Sequence, residues 1–211
     1  MMRLDCSSVR FRINRYVWKV KNVRVENSAK KDWLFLCGFM SGEIEKPLVI
    51  GKTAKPRCFW NLDIRKLPVE WRSNKKAWMT SQIMEEWLTA FNGRMKMQNR
   101  HVLLFLDNAT CQPHIKFSNV RLAWFPPNTT SVYQPMDQGI IWNVKVHYRK
   151  LLMQSLLANI DCTLSGYELA RIVSVLDAVI WISHTVKKML PETVTRCFEK
   201  AGFLRVEVLL V

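Results

Sequence analysis

The N-terminal third of the chain is patterned as strands. Apolar and polar residues alternate over 9–14, and a second short β pattern covers 16–21. Residues 33–39 form a continuous apolar run that predicts a buried strand, and 47–50 predict another strand after the turn at Ser41 and Gly42. We therefore expect a sheet that is built largely from the first part of the chain.

The pattern becomes helical at Thr80. Five large apolar side chains then fall on one face of a helix: Met84, Trp87, Leu88, Phe91 and Met95. A stripe of this kind is more typical of a hydrophobic core than of a cofactor site. We therefore predict an amphipathic helix that packs on the sheet.

The remaining pattern adds two strands and then helices. The apolar run 101–106 predicts a strand. The run 120–125 predicts the next strand, which ends at the two prolines that follow it. Helical patterns follow from residue 140 to 156, near 166–183 and over 191–201. Strands flanked by helices indicate an α/β layer architecture.

The chain length sets the expected organisation. At 211 residues, of which 49% are hydrophobic, one chain can bury a single sizeable core. We expect three parts: an atypical basic segment over 1–30, a core over 31–160 and a helical extension over 161–211. No run reaches the roughly 18 apolar residues of a membrane span.

The net charge indicates a class of binding partner. Lysine and arginine outnumber acidic residues 32 to 17, giving +15. A surface of this kind suits a polyanion and favours nucleic acid over a protein that is merely basic. Residues 52–78 read as a loop-like connection in which aromatic residues alternate with cations. We interpret its tryptophans as packing residues and its cations as phosphate contacts, and the candidate contacts are Lys52, Lys55, Arg57, Lys75, Lys76, Lys145 and Arg149.

The six cysteines are scattered, with no C-x-x-C pair. This spacing argues against a zinc site, and a disulfide framework is not expected in a domain of this size. The start of the sequence lacks the apolar core of a signal peptide. We therefore expect reduced, mostly packed thiols in a reducing compartment.

Two aspartates stand where chemistry is expected. Asp107 follows the apolar run 101–106 directly, and Asp137 stands at the head of the following helical pattern. Sites in α/β sheets form beyond strand ends, and Mg²⁺ is typically bound by one or two carboxylates plus substrate phosphates. Taken singly, each aspartate also fits a turn or a helix cap. Taken together, they point to phosphodiester chemistry.

Several motifs resemble the DDE domain of pogo/Tigger-type transposases, a group that includes domesticated relatives around jerky and centromere protein B. The similar segments cover residues 46–52, 74–80, 104–109, 125–131, 134–140 and 174–178, and the similarity extends over roughly 30–203. The resemblance implies an RNase H-like fold, a mixed sheet flanked by helices. It also implies two-metal catalysis on DNA with Mg²⁺, and a nuclear location.

The family site uses three acids. The second matches Asp107 and the third matches Asp137, and a metal pair held there would activate the attacking oxygen and stabilise the leaving one. The first acid belongs to a segment resembling Asp-Glu-Thr-Gly on the first strand, which this sequence lacks. Asp5 lies at about the expected distance upstream, but its surroundings do not match the motif.

A second departure follows Asp107. Relatives usually read Asp-Asn-Ala-Pro-x-His-Pro, whereas this chain has Gln112 at the histidine position and His114 two residues further on. Glutamine cannot carry the proton-linked charge of histidine. The helix-turn-helix modules that precede the DDE domain in the family are also missing from this sequence.

Three functions fit these observations. The first is an active endonuclease or strand transferase in which Asp5, or an acid from another chain, completes the metal site. The second, which we favour, is a transposase-derived domain that binds DNA or a chromatin partner without cutting. The third is a decayed product that folds poorly, with the apolar tail 206–211 as an aggregation-prone edge. The sequence does not indicate the oligomeric state.

Overall fold

The structure, a computed structural model, describes residues 15–19, 23–27, 30–106, 115–125, 129–158 and 173–203. The strands are β1 Arg15–Lys19, β2 Val23–Asn27, β3 Lys30–Phe35, β4 Cys37–Phe39, β5 Leu48–Gly51, β6 Glu70–Ser73, β7 Val102–Leu106 and β8 Val120–Trp124. The helices are α1 Ser81–Met97, α2 Thr130–Tyr133, α3 Ile141–Ala158, α4 Val175–Lys188 and α5 Pro191–Lys200, and a π-helical turn over Met136–Ile140 leads into α3. Among the described helices, none is long and apolar enough to cross a membrane.

The strands pair in two groups, ordered β4-β1-β7-β8 and β2-β3-β5-β6. The two groups adjoin, because β3 and β4 are separated only by Leu36. β1 is antiparallel to β4, and β2 is antiparallel to β3. β7 and β8 run parallel to β1, and β5 and β6 run antiparallel to β3 and parallel to each other. The expected α/β fold with a mixed sheet is confirmed.

Most of the strands have their carboxyl ends at the same edge of the sheet. β1, β5, β6, β7 and β8 run in the same direction, so their carboxyl ends face one edge, which we call the carboxyl edge. The register along β3 and β4 places the end of β5 about five residues, or roughly 16 Å, beyond the end of β7. The loops after β5 and β6 therefore extend past the end of β7.

Helices cover both faces of the sheet. Phe35 and Cys37 face α1, whereas Leu34 and Leu36 face α3, α4 and α5. Because consecutive residues point to opposite faces, a strand covered on both sides must be apolar throughout. This explains the continuous apolar run at 33–39, and the predicted buried strand is confirmed there.

The predicted α1 is confirmed in position and orientation. The Oγ1 atom of Thr80 accepts a hydrogen bond from the backbone N–H of Ile83 at 3.3 Å, which caps the first turn. All five residues of the predicted stripe are buried. The strands predicted over 47–50, 101–106 and 120–125 are confirmed as β5, β7 and β8.

Two element predictions need correction. The segment 52–78 is not only a connection, because it contains β6 and two short 3-10 turns. The helix predicted near 166–183 continues to Lys188. It begins at Val175 because the side chains of Ser174 and Asp177 form a reciprocal capping box. Residues 166–172, like the predicted strand over 9–14, lie outside the described part of the chain.

Residues from α4 and α5 share one hydrophobic cluster with residues from the sheet. Ile182 of α4 and Phe198 of α5 lie in the same buried cluster as Leu34 and Val49. The two C-terminal helices are thus integral to the packing of one face of the sheet. The three-part division at residues 30 and 160 remains a prediction about the organisation of the sequence.

Candidate functional site

Five of the seven candidate phosphate contacts lie on loops at the carboxyl edge. Lys52, Lys55 and Arg57 follow β5, and Lys75 and Lys76 follow β6; all five are exposed. We call residues 52–60 the β5 loop and residues 74–78 the β6 loop. The two loops are neighbours because β5 and β6 pair in parallel up to their last residues, Gly51 and Ser73.

Each of the two loops is tied to the neighbouring strand. The indole N–H of Trp71, on β6, donates to the carbonyl oxygen of Ala54 at 3.1 Å, and the Trp71 ring packs edge-on against Phe59 at 4.9 Å between centroids. Trp71 also lies directly over Gly51, where any side chain would collide with it. The backbone N–H of Asn74 donates to the carbonyl oxygen of Gly51 at 3.1 Å. These contacts tie the β5 loop to strand β6, and they tie the start of the β6 loop to the end of strand β5.

Asn74 organises the β6 loop. Its Oδ1 accepts hydrogen bonds from the backbone N–H groups of Lys76 and Trp78, both at 3.1 Å. Its Nδ2 donates to the carbonyl oxygen of Trp78 at 2.6 Å. Between them, Ala77 is buried and takes a positive φ of 50°. Tight turns are commonly held by an asparagine side chain that forms hydrogen bonds with the backbone of the residues that follow it. In this turn, Lys75, Lys76 and Trp78 lie on one loop.

The remaining two candidate contacts belong to another surface. Lys145 and Arg149 are exposed on α3, as predicted. This helix packs against α4 and against the π-helical turn rather than forming part of the β5–β6 pair. Five of the seven cations therefore lie on the loops after β5 and β6, and the other two lie on α3.

The acids of the segment 52–78 are engaged by arginines. Asp63 accepts from the side chain of Arg65 at 3.1 Å, which lowers the pKa of Asp63, and Glu70 lies 3.2 Å from Arg94. Among the described residues, no ion pair involves the exposed lysines of the two loops. Positive charge at this edge is available to a polyanion.

Asp137 is projected outward by buried neighbours. Gln134, Pro135 and Met136 are buried, whereas Asp137 is exposed in the first turn of the π-helical segment. Gly139 has a φ of 153°, and a Cβ added there would lie 3.0 Å from the Sγ atom of Cys197. The turn thus needs glycine at this position, both for its backbone conformation and for close packing against α5.

The same turn lies near the end of β7. The Cε atom of Met136 would be 3.0 Å from a Cβ built on Gly38, so Met136 packs against β4. Gly38 pairs with Trp18 on β1, and Trp18 pairs with Phe105 on β7. Two strand spacings, roughly 10 Å, therefore separate this contact from the last residues of β7. Asp107 itself lies outside the described residues.

The strand beside β7 carries no carboxylate. β1 reads Arg-Tyr-Val-Trp-Lys, and Lys19 is level with Leu106 when the register is extended by one residue. Asp5, Gln112 and His114 lie outside the described part of the chain. Within the part that is described, no group of three histidine, cysteine or acidic residues could hold a metal ion. The described residues thus do not supply the donor set of a two-metal site.

The exposure of two tryptophans was not predicted from the sequence. We predicted that the tryptophans of 52–78 pack on the core, and this is confirmed for Trp71, which is 6% exposed. It is wrong for Trp60 and Trp78, which are 76% and 58% exposed. Trp60 follows a turn whose buried residue is Phe59, so the backbone points the next side chain outward. The alternation of aromatics with lysines was the sequence feature that could have identified both.

The thiols that the structure describes are free. Cys37, Cys58 and Cys197 form no disulfide, in agreement with the prediction of reduced cysteines for this part of the chain. Burial raises the pKa of the Cys37 and Cys197 thiols, which keeps both protonated and unreactive. Neither has the properties of a nucleophile.

Comparison with known proteins identifies the family. The model of the DDE superfamily endonucleases matches residues 30–198. The chain is 35% identical over 166 residues to Tigger transposable element-derived protein 4 of Mus musculus, covering 78% of this chain and 31% of that protein. It is 31% identical over 186 residues to ARS-binding protein 1 of Schizosaccharomyces pombe, covering 81% and 34%. It is 30% identical over 174 residues to major centromere autoantigen B of Homo sapiens, covering 81% and 27%.

The chain spans about a third of the length of these relatives. The matched region nevertheless includes both the strand that ends before Asp107 and the turn that carries Asp137. The relatives include proteins derived from a Tigger transposable element and proteins named for chromosomal elements. The chain therefore belongs to the DDE superfamily endonucleases, as a domain of the pogo/Tigger type.

Proposed function

We propose that this chain is a DNA-binding domain derived from a DDE transposase and that it does not cut DNA. The observation that carries the proposal is the pair of neighbouring basic loops at the carboxyl edge. Relatives of the chain are named for binding to an ARS element and for the centromere, which supports DNA as the polyanion. By the same reasoning we propose a nuclear location, with chromatin proteins as further partners.

Phosphate contact by the β6 loop gives a direct test. Reversing Lys75 and Lys76 to glutamate should weaken the binding of duplex DNA and make the plot of log affinity against log salt shallower by about 1.8, because each lost phosphate contact releases one fewer counterion. Fluorescence anisotropy with a labelled duplex, between about 50 and 200 mM salt, measures both quantities.

The matched control carries the same charge change at the opposite edge. Lys96 lies in the last turn of α1, shortly before β7, and Lys116 lies shortly before β8; both are exposed. The variant Lys96→Glu/Lys116→Glu should keep the wild-type slope. Equal slopes in the two variants would mean that only total charge matters, and would refute the placement of the contact. Circular dichroism confirms that both variants are folded.

We also propose that the metal site is impaired. Asp107 and Asp137 are the acids that remain from the family site, and the strand expected to carry the first acid has Arg15 and Lys19 instead. Mg²⁺ keeps near-octahedral geometry and gives up its waters reluctantly, so the loss of one of three carboxylates weakens its binding sharply. Bound metal would polarise the scissile phosphate and activate water.

The purified chain is therefore expected not to nick a supercoiled plasmid in the presence of Mg²⁺ or Mn²⁺. The Asp107→Ala variant should behave in the same way, and both should bind DNA with the same salt dependence. Nicking that is abolished in this variant would favour the alternative, an active two-metal endonuclease or strand transferase. Asp5 would then be the first residue to replace in the search for the third acid.

A further inference from the structure

Helix α3 has a second apolar face, away from the face that packs on the protein. The packed face is fixed by three buried residues, Ile141, Val144 and Tyr148. The Tyr148 ring meets Trp181 of α4 edge-on at 6.0 Å between centroids. Four other large apolar side chains of α3 are between 41% and 67% exposed: Trp142, Val146, Met153 and Leu157. We call these four residues the outer stripe.

The outer stripe is one continuous surface. At 3.6 residues per turn, its four members fall within an arc of roughly 60° around the helix axis. The centre of this arc lies roughly 150° from the centre of the buried face, so the stripe points away from the protein. Its length from Trp142 to Leu157 is roughly 22 Å. Single exposed apolar residues are ordinary on protein surfaces, whereas a contiguous apolar patch marks an interaction site.

Two cations lie in the middle of the outer stripe. Arg149 and Lys150 are exposed, and they stand between the first two apolar residues of the stripe and the last two. From the helical period, Arg149 borders one side of the stripe and Lys150 borders the other. Among the described residues, no ion pair involves either cation, and α3 itself contains no acidic residue. The charge at the centre of the stripe is therefore available to a partner.

The spacing along the outer stripe is the same from either end. Successive members, including the two cations, are separated by four, three, one, three and four residues. A second helix with this spacing can therefore lie along α3 in either direction and place apolar pairs on apolar pairs.

The charge decides which helix fits. In a second copy of this chain the apolar pairs would match, but Arg149 and Lys150 would face the same two cations. Like charges that meet across an interface are unfavourable and suppress the wrong partner. The occupant must therefore have the same apolar spacing and carry acidic side chains at its centre.

We propose that the outer stripe is a docking site for an amphipathic helix of an acidic partner protein, in which carboxylates separate two apolar pairs. The carboxylates pair with Arg149 and Lys150, and the arginine can bind a carboxylate through two parallel hydrogen bonds. The interface is on a different element from the β5 and β6 loops and does not depend on the proposed DNA-binding function. Because Arg149 is also a candidate phosphate contact, DNA is the competing occupant.

The test uses two synthetic peptides and the full chain. Each peptide has 18 residues, the length of α3, with leucine at the four positions that match the outer stripe. One peptide has glutamate at the two central positions that match Arg149 and Lys150, and the other has lysine there. In fluorescence anisotropy, the wild-type chain should bind the glutamate peptide at least about tenfold more tightly than the lysine peptide.

Two variants of the chain test the two parts of the site. Trp142→Ala/Met153→Ala should weaken binding of the glutamate peptide at least about tenfold, because buried tryptophans are prominent among the residues that dominate interface affinity. Arg149→Glu/Lys150→Glu should exchange the preference and bind the lysine peptide more tightly. A preference that stays with glutamate in this variant would overturn the assignment of the cations.

The matched control makes the same two substitutions elsewhere. Trp60 and Met97 are 76% and 82% exposed, on the β5 loop and at the end of α1. Trp60→Ala/Met97→Ala should keep the wild-type affinity for the glutamate peptide. An equal loss in the control would overturn the proposal, because any exposed apolar residue would then suffice. Circular dichroism confirms that all variants are folded.

The other outcomes are also decisive. If the wild-type chain binds neither peptide, or both equally, the docking site is refuted. Self-association in sedimentation velocity that Trp142→Ala/Met153→Ala abolishes would make a second copy the occupant. A loss of duplex DNA affinity in that variant as large as its loss of peptide affinity would make DNA the occupant. Peptide binding without any DNA binding would leave the docking site standing and refute only the proposed DNA-binding function.

Discussion

Replacing Trp87 by alanine is expected to lower the free energy of unfolding by about 3–5 kcal/mol, the usual range for a buried tryptophan. The Trp87 side chain is 2% exposed. Its ring stacks on Phe91 at 4.9 Å and meets Phe35 edge-on at 4.7 Å. It therefore joins α1 to the sheet, and its removal leaves a large cavity between two rings. Urea unfolding followed by circular dichroism measures the change.

Trp87→Phe serves as the matched variant. Within the described residues, the indole N–H of Trp87 is buried and has no hydrogen-bond partner. A buried donor of this kind costs about 1–3 kcal/mol, and phenylalanine removes it while keeping an aromatic ring. We expect this variant to stay within about 1.5 kcal/mol of the wild type, the range of a tolerated apolar replacement. An equally large loss in both variants would show that ring contacts are not what stabilises this junction.

Replacing Arg94 by methionine is expected to be the second most damaging change. The Nε of Arg94 lies 2.9 Å from Glu45 and its Nη1 lies 3.2 Å from Glu70, and all three side chains are largely buried. Methionine replaces the aliphatic part of the side chain but leaves two carboxylates without their cation. Breaking a buried pair costs about 3–5 kcal/mol; because this cluster retains some exposure, we expect about 2 kcal/mol at pH 7.

The loss should depend on pH in a defined direction. Burial raises the pKa of Glu45, and Arg94 partly offsets that rise. Removal of Arg94 therefore raises the pKa of Glu45 further. Below its ordinary pKa of 4.5, a carboxyl group with a raised folded-state pKa is protonated in both the folded and the unfolded state, so its burial does not destabilise the fold. Its stabilising protonated form is then lost as the pH rises through the folded-state pKa.

Unfolding of Arg94→Met is accordingly expected to be closest to the wild type at pH 4.5 and furthest from it at pH 7. The comparison variant is Arg65→Met, which removes a cation from Asp63 at the surface and should change stability far less. A loss for Arg94→Met that does not vary between the two pH values would contradict the role of Glu45.

The fold could be predicted where the pattern of apolar residues was unambiguous. The stripe from Met84 to Met95 has a helical period and a capping threonine, and the run 33–39 is apolar on both faces of a strand. β6 was missed because it has only four residues, and only Trp71 among them is fully buried. Its pairing with β5 comes from the tertiary structure and is not visible in the local sequence.

The candidate site was predictable in part, for a related reason. Asp137 and the cations could be proposed because charge and motif are properties of the sequence itself, and their role stays a prediction. The exposure of Trp60 and Trp78 is set by the burial of Phe59 and by the hydrogen bonds of Asn74. Those contacts depend on the three-dimensional placement of two loops, which a list of residues does not give.

The pairing of β1 with β7 has a consequence for synthesis of the chain. β1 is translated before β3, β5, β6 and α1, whereas its parallel partner β7 is translated only after them, since Val17 pairs with Leu104. Until then one edge of the nascent sheet has open hydrogen-bonding groups and can pair with other chains. Polypeptides that stop before Val102 are therefore expected to aggregate, and holdase chaperones should be needed most during this interval of translation.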